Sequence, residues 1–362
     1  MEKKYQTVNR VIQSWIADGE YKENEKLPTE SDLMKRFEVS RHTVRKALAD
    51  LETDGIVYRI QGGGTYVRGL EPRLPKLAER NAVGVMATHL NDYIFPSIIA
   101  GIERILSQDA TSLVLSSTQN DEMIEAQSIT KLSNINGLIV EPARSAFIIK
   151  NEPRFAELSA QNIPIVTINA KFKQLATPYF VMDDFSGGKL AAEYILKNNH
   201  RHILGIFKND DQQGVDRLEG FTYALQAFDI EDVTATLFYQ SSTPQEKIGA
   251  KLQSILSGAD RPTAIVCYND QMAVLAYNTA QTLGVKVPQD LSIIGFDNSS
   301  LASGYGLHLT SVNHPKAQMG EDAADLILKM IKEPNKEFMN MSKVYAPELV
   351  IGDSVRRLPD SE

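Results

Sequence analysis

Three kinds of hydrophobic pattern follow one another along the chain. Tyr5, Val8, Val11, Ile12, Trp15 and Ile16 recur at helical spacing, which predicts an amphipathic helix over residues 3–18 ending at Gly19. Thr29 ahead of Glu30, Ser31 and Asp32, with Leu33, Met34 and Phe37 behind, predicts a second helix after Leu27-Pro28. Ser40 then precedes Val44, Ala47, Leu48 and Leu51 at i, i+3, i+4 and i+7, a third helix separated from the second by a tight turn at Glu38-Val39. After Gly55 the period drops to two: residues 56–60 and 65–68 alternate around Gln61-Gly62-Gly63-Gly64, which predicts a β-hairpin. Residues 70–81, with Pro72, Pro75 and several charges, show no period and read as a linker.

From Ala82 onward short apolar runs alternate with helical segments. The runs are residues 83–86, 112–115, 137–140, 164–168, 203–207, 263–266 and 291–296. Apolar stretches without alternation predict strands buried on both faces, hence α/β architecture with parallel, doubly wound sheets covered by helices. The length of about 280 residues predicts two lobes rather than one. The expected organisation is thus a winged helix-turn-helix domain over 1–69, a linker over 70–81 and a two-lobed domain over 82–362.

Charge changes the picture of the first domain. The whole chain carries a net −8, but residues 1–80 hold 15 Lys/Arg against 13 Asp/Glu, so the acidity belongs to the rest. Within the third helix the face opposite the apolar stripe carries Arg41, His42, Arg45 and Lys46, and Lys4 sits at the start of the first helix. Two short helices joined by a tight turn, the second with a basic face, form the arrangement whose second helix enters the DNA major groove. A glycine-rich loop can also cradle a phosphate, but here no Gly-Lys-Ser/Thr follows and the loop joins two strands.

Leu27-Pro28-Thr29-Glu30, Val39 to Leu48, and Gln61-Gly62-Gly63-Gly64-Thr65-Tyr66-Val67 resemble the GntR family of bacterial transcription regulators, in the right order over about seventy residues. The resemblance implies double-stranded operator DNA as a partner, contacted by Arg41, Thr43 and Arg45 from the helix and by Gln61, Gly62 and Gly63 from the wing.

Polar groups gather just after the apolar runs: Glu141, Asn169 with Lys171, Asp183-Asp184, Asn269-Asp270 and Asp297-Asn298. In open α/β sheets ligands bind beyond the carboxyl ends of strands. Carboxylates and amides suit the hydroxyls of a small polyol, and Tyr93 and Phe95 can cover its C–H faces. Each such Asp or Asn could instead cap the following helix. The runs Asn136 to Ile139, Ile163 to Val166, Arg217…Gly220-Phe221, Asn269-Asp270, Ile293 to Asn298 and Leu309 to Val312 resemble the LacI/GalR sugar-responsive regulators, themselves similar to periplasmic binding proteins. That resemblance implies ligand contacts at Arg217, Asn269, Asp297 and His314. Together with residues 92–99, Val140-Glu141-Pro142 and Asp211 to Val215, the pairing of these two domains resembles the bacterial L-arabinose repressors. It implies L-arabinose as inducer and pentose-utilisation operons as target; the protein expected is a repressor that binds its operator as a homodimer, with no cofactor and no catalysis.

Other chemistry is thinly supported. Cys267 is the only cysteine, which excludes an internal disulfide and a multi-cysteine metal site. His200-Arg201-His202 lacks a third metal ligand nearby. Asp183-Asp184 could suggest glycoside hydrolysis, yet adjacent residues generally point apart, while that reaction needs two carboxylates across one bond. No run approaches the roughly 18 apolar residues of a membrane span, and the polar start lacks a signal-peptide core, so a cytoplasmic protein is expected.

Overall fold

In a computed structural model of the chain, which describes residues 4–53, 55–60, 63–68, 81–90, 93–132, 134–230 and 236–359, contacts divide the protein into two units, Met1–Glu79 and Arg80–Glu362. The wing residues Gln61 and Gly62, and residues 70–80 of the predicted linker, lie outside the described residues.

The first unit contains helices α1 (Lys4–Ala17), α2 (Glu30–Phe37) and α3 (Arg41–Thr53), followed by strands β1 (Val57–Ile60) and β2 (Gly64–Val67) paired antiparallel. Thr29 caps α2 in a capping box with Asp32, and Ser40 Oγ accepts from the Thr43 amide at the start of α3. Each helix turns one stripe inward: Val8, Ile12 and Trp15 from α1, Leu33 from α2, and Val44, Ala47, Leu48 and Leu51 from α3 form a single core. Burying the α3 stripe fixes which face of that helix is left outward, and it is the basic one.

The second unit contains strands β3 (Ala82–Ala87), β4 (Ser112–Ser117), β5 (Gly137–Val140), β6 (Ile165–Ile168), β7 (Tyr179–Met182), β8 (Ile203–Lys208), β9 (Thr236–Tyr239), β10 (Ala264–Cys267), β11 (Ser292–Asp297), β12 (Thr310–Asn313), β13 (Lys343–Tyr345) and β14 (Glu348–Val350). They form two sheets, in the orders β13-β7-β6-β5-β3-β4 and β14-β12-β11-β10-β8-β9. All neighbours pair in parallel except β14, which runs antiparallel to β12. Around them lie α4 (Phe95–Gln108), α5 (Glu122–Lys131), α6 (Glu152–Ala160), α7 (Asp184–Lys197), α8 (Gln212–Ala227), α9 (Gln245–Ser257), α10 (Asp270–Thr282) and α11 (Lys316–Lys332). Helix α11 packs on α4 and the first sheet, α7 on α8 and the second. Among the described residues the chain therefore passes between the two lobes three times, after β7, after β12 and after β13.

Two expectations need amendment. The unbroken apolar run at 112–115 predicts burial on both faces, but β4 is an edge strand with Val114 39% and Leu115 44% exposed, because only one neighbour, β3, covers it. Strands β9, β13 and β14 carry no long apolar run: with three or four residues each at or near sheet edges, their pattern is too short to stand out.

Candidate functional site

On the first unit, Arg41, His42, Arg45 and Lys46 are exposed along α3, as is Lys4 on α1. Glu30, in the first turn of α2, gathers two of them: both its carboxylate oxygens lie 3.1 Å from Arg45 Nε, and one lies 3.5 Å from Arg41 Nε. Two guanidinium groups are thereby held together over the end of α3 that would face a groove. The Lys46 ammonium rests 4.2 Å from the Tyr5 ring centroid, a cation–π contact that steadies it against α1. Thr43 Oγ1 lies 2.9 Å from Ser40 Oγ at the helix start, and Gly63 is half-buried at the hairpin turn.

On the second unit, the topology itself selects a place. Strand order reverses between β3 and β5 in one sheet and between β8 and β10 in the other. Crevices at the carboxyl ends of strands open at such reversals. The residues directly beyond these strands are Thr88 after β3, Glu141 after β5, Lys208 ending β8, and Tyr268 with Asn269 after β10, and all of them line one cavity of about 230 Å³. Asp297, ending β11, joins them, together with Tyr93, Phe95, Asp211 and Arg217. The two lobes touch directly around this cavity. Tyr93 Oη donates to Asp297 Oδ2, Asn120 Nδ2 to Ser241 Oγ at 2.7 Å, and the Gln212 amide to Ser145 Oγ at 3.0 Å.

Arg217 is placed by backbone proximity. A Cβ on Gly188 of α7 would stand 2.0 Å from the Arg217 carbonyl oxygen, and one on Gly220 of α8 would stand 1.9 Å from that of Phe185, so only glycine lets α7 and α8 approach this closely. The approach brings Arg217 Nε within 2.8 Å of Asp184 Oδ1, with Arg217 Nη1 donating to the Tyr268 carbonyl at 2.7 Å and the guanidinium 3.5 Å from the Phe296 ring centroid. Burial works against the charge on Arg217, but Asp184, Tyr268 and Asp297 outweigh it and raise its pKa. Lys208 is held 2.9 Å from Asp211 Oδ2, and the same carboxylate accepts from Tyr268 Oη and from the Gly214 amide as the cap of α8. Glu141 accepts from Thr88 through its amide and hydroxyl and from Asn169 Nδ2; burial raises its pKa against these bonds. The cavity is therefore a wall of anchored acceptors and cations with aromatic faces, suited to holding a neutral polyol in one orientation.

The chain matches the family described as bacterial regulatory proteins, gntR family, over residues 4–67, and a periplasmic binding protein-like domain over residues 192–355. It is 37% identical, over 98% of both chains, to an arabinose metabolism transcriptional repressor of Geobacillus stearothermophilus. A repressor of the same description from Halalkalibacterium halodurans is also 37% identical, over 98% of this chain and 97% of its own. The chain belongs to the arabinose metabolism transcriptional repressors. Like its family it is a sugar-responsive regulator with a DNA-binding head, not an enzyme. Its fold is that of a LacI family regulator of Enterococcus faecium solved with bound ribose, at a TM-score of 0.67 and 24% identity over 77% of this chain and all of the other. Among the described residues no helix is long and apolar enough to cross a membrane.

Within this repressor the expected effector residues separate into two groups. Tyr93, Phe95, Glu141, Arg217, Asn269 and Asp297 line the cavity. Asn169, Lys171, Asp183 and His314 do not. Asn169 and His314 form a buried layer behind Glu141: His314 Nε2 lies 3.2 Å from Asn169 Oδ1, which leaves the unpartnered Nδ1 as the site without the proton, and burial lowers the His314 pKa to about 3. Asp183 caps α7 through the Ser186 amide, and its own amide donates to Tyr345 O, tying two lobe crossovers together. Lys171 is exposed, its ammonium 3.9 Å from the Tyr179 ring centroid. Capping is not exclusive of lining, since Asn269 caps α10 through Met272 and still borders the cavity. Sequence reasoning missed Lys208, Asp211 and Tyr268. The signal was present, because Lys208 ends a strand run and Asp211 precedes a helix, but a Lys at a strand end is ordinary without knowledge of which strands flank the reversal.

Proposed function

We propose that L-arabinose is the effector of this repressor, that it occupies the cavity between the lobes, and that its binding releases operator DNA. The convergence of Arg217, Asp297, Asn269, Glu141 and Tyr93 on one cavity at both strand-order reversals carries the reading. A volume of 230 Å³ lies below the roughly 300–1,000 Å³ typical of pockets for drug-sized ligands, which favours a monosaccharide. Carboxylates accept sugar hydroxyls, Arg217 and Lys208 donate to sugar oxygens, and Tyr93, Phe95 and Tyr268 cover the C–H faces. The names of the two similar repressors favour arabinose among sugars of this size.

On DNA, α3 enters the major groove with Arg41, Thr43 and Arg45 towards base edges, while Lys4, His42 and Lys46 meet phosphates and Gln61, Gly62 and Gly63 approach from the wing. Two copies act as a homodimer in the cytoplasm on half-sites about 34–36 Å apart or a multiple of that spacing. Sugar and operator favour different lobe arrangements, so each weakens the other by the difference in affinity.

Titration calorimetry with L-arabinose, D-xylose, D-ribose and D-galactose, run beside gel shifts on operator DNA, tests this. A saturable heat with L-arabinose and operator release over the same concentrations are expected. Heat only with another sugar would overturn the choice of effector, and arabinose binding without release would overturn the direction of control.

A further inference from the structure

Lys316 opens α11, which packs in the lobe of the first sheet, yet its ammonium reaches into the other lobe. It donates to the carbonyl oxygen of Asp297, to that of Asn298 at 3.3 Å, and to that of His314, on the crossover between the lobes, at 3.2 Å. A cation in the first turn of a helix opposes the helix dipole, and partial burial lowers the Lys316 pKa, so two effects act against a lysine here. Three backbone carbonyls offset them.

The carbonyls it holds belong to strained backbone. Asp297 has φ +101° and Asn298 φ +47°, the first of these outside the regions that non-glycine residues occupy readily. The same loop is fastened from its own lobe by Asp270, which accepts from the Ser299 amide and hydroxyl and from Ser311 Oγ at 2.7 to 2.9 Å. Asp297 is thus pinned from both lobes while its carboxylate lines the cavity.

We propose that Lys316 is the positioning residue that couples Asp297 to the lobe crossover, so that occupation of the cavity is transmitted as a change in operator affinity. The inference rests on the cavity being the effector site. A rotation about the crossovers carries the ammonium with α11 and the Asp297 and Asn298 carbonyls with β11, so these two bonds are made in one lobe arrangement and broken in another, while the bond to the neighbouring His314 carbonyl persists. A sugar that binds Asp297 in its pinned setting favours the first arrangement, and that difference in affinity is what coupling requires. Without the ammonium, Asp297 still accepts a sugar hydroxyl and the Tyr93 hydroxyl, but its backbone is no longer held from the lobe of α11.

The test compares Lys316→Met, which keeps the stem and removes the charge, with wild type in the full chain. Operator affinity is measured without sugar and with saturating L-arabinose, saturation being fixed for each protein by calorimetry. Wild type is expected to lose affinity by a factor within about 5–150. Lys316→Met is expected to bind sugar more weakly and, once saturated, to shift operator affinity less than about threefold on that scale. A saturated variant that responds by the wild-type factor overturns the proposal, because Lys316 would then affect occupancy alone. Lys316→Gln, expected between the two, decides by the same ratio where the methionine variant does not unfold cooperatively. A wild type indifferent to L-arabinose would count against the effector assignment only; the ratio would then be read with D-xylose, D-ribose or D-galactose, whichever releases wild type.

Discussion

Each unit of the repressor contains an arginine held by a carboxylate through Nε, and the two pairs do opposite things. Arg45 meets Glu30 at 3.1 Å with side chains 62% and 27% exposed, whereas Arg217 meets Asp184 at 2.8 Å with 3% and 4%. The exposed pair is screened by water and contributes little, so its arginine can leave Glu30 at small cost. The buried pair has no water to return to. Its arginine is fixed in place by Asp184 and the Tyr268 carbonyl, and from that fixed position it lines the cavity. The same chemical unit is a reserve in one place and a rivet in the other.

The sharpest break of this contrast is Asp184→Ala. It leaves a buried guanidinium without its counter-charge and should destabilise the second unit by about 3–5 kcal/mol, read as a lower denaturation midpoint of the full chain. Glu30→Gln, the matching change in the head, should alter stability by less than about 1 kcal/mol. Equal losses would show that burial is not what distinguishes the pairs.

Next in size is Arg45→Ala, expected to cost about 1–3 kcal/mol of operator affinity and to relax base preference at one position of each half-site. Gel shifts against a set of single-base operator variants measure both. A uniform loss across all variants would assign Arg45 to the phosphates, and unchanged binding would remove it from the interface.

The two units also differ in how openly their sequences announce them. The head was legible nearly residue by residue: Thr29, Ser40, the stripe Val44 to Leu51 and the glycines of the hairpin are local signals, read within a few positions of where they act. The cavity was legible as a class. Glu141, Asn269 and Asp297 were visible as polar residues at strand ends, but Asp183, Asn169 and His314 look the same in sequence and sit behind the cavity or at a crossover. What separates them is which strands flank the order reversal, a relation between segments dozens of residues apart that no short window of sequence contains. Arg217 came from family resemblance; its placement depends on the glycines of α7 and α8 meeting, again a long-range fact.

The smallest predicted effect concerns protons. Burial raises Asp297 to about 7 from an ordinary value of 3.8, against the pull of Arg217 and with the push of Asp270. Between these values the folded protein holds a proton that the unfolded chain has lost, so this group favours folding most at low pH and progressively less as pH rises to about 7. Sugar binding has the opposite sign, because a hydroxyl donating to Asp297 prefers the carboxylate and expels the proton. Arabinose affinity should therefore increase from about pH 5.5 to about 7, by no more than about tenfold per unit, and level off above. Tyr93 already donates to the same carboxylate, which makes the increment smaller than that limit. Calorimetry in buffers of different ionisation enthalpy counts the released proton directly. Asp297→Asn should flatten the profile. Since burial raises Asp184 to about 7 as well, a slope that survives in Asp297→Asn would move the titration to the rivet behind Arg217 and make the buried pair part of the sensor rather than its frame.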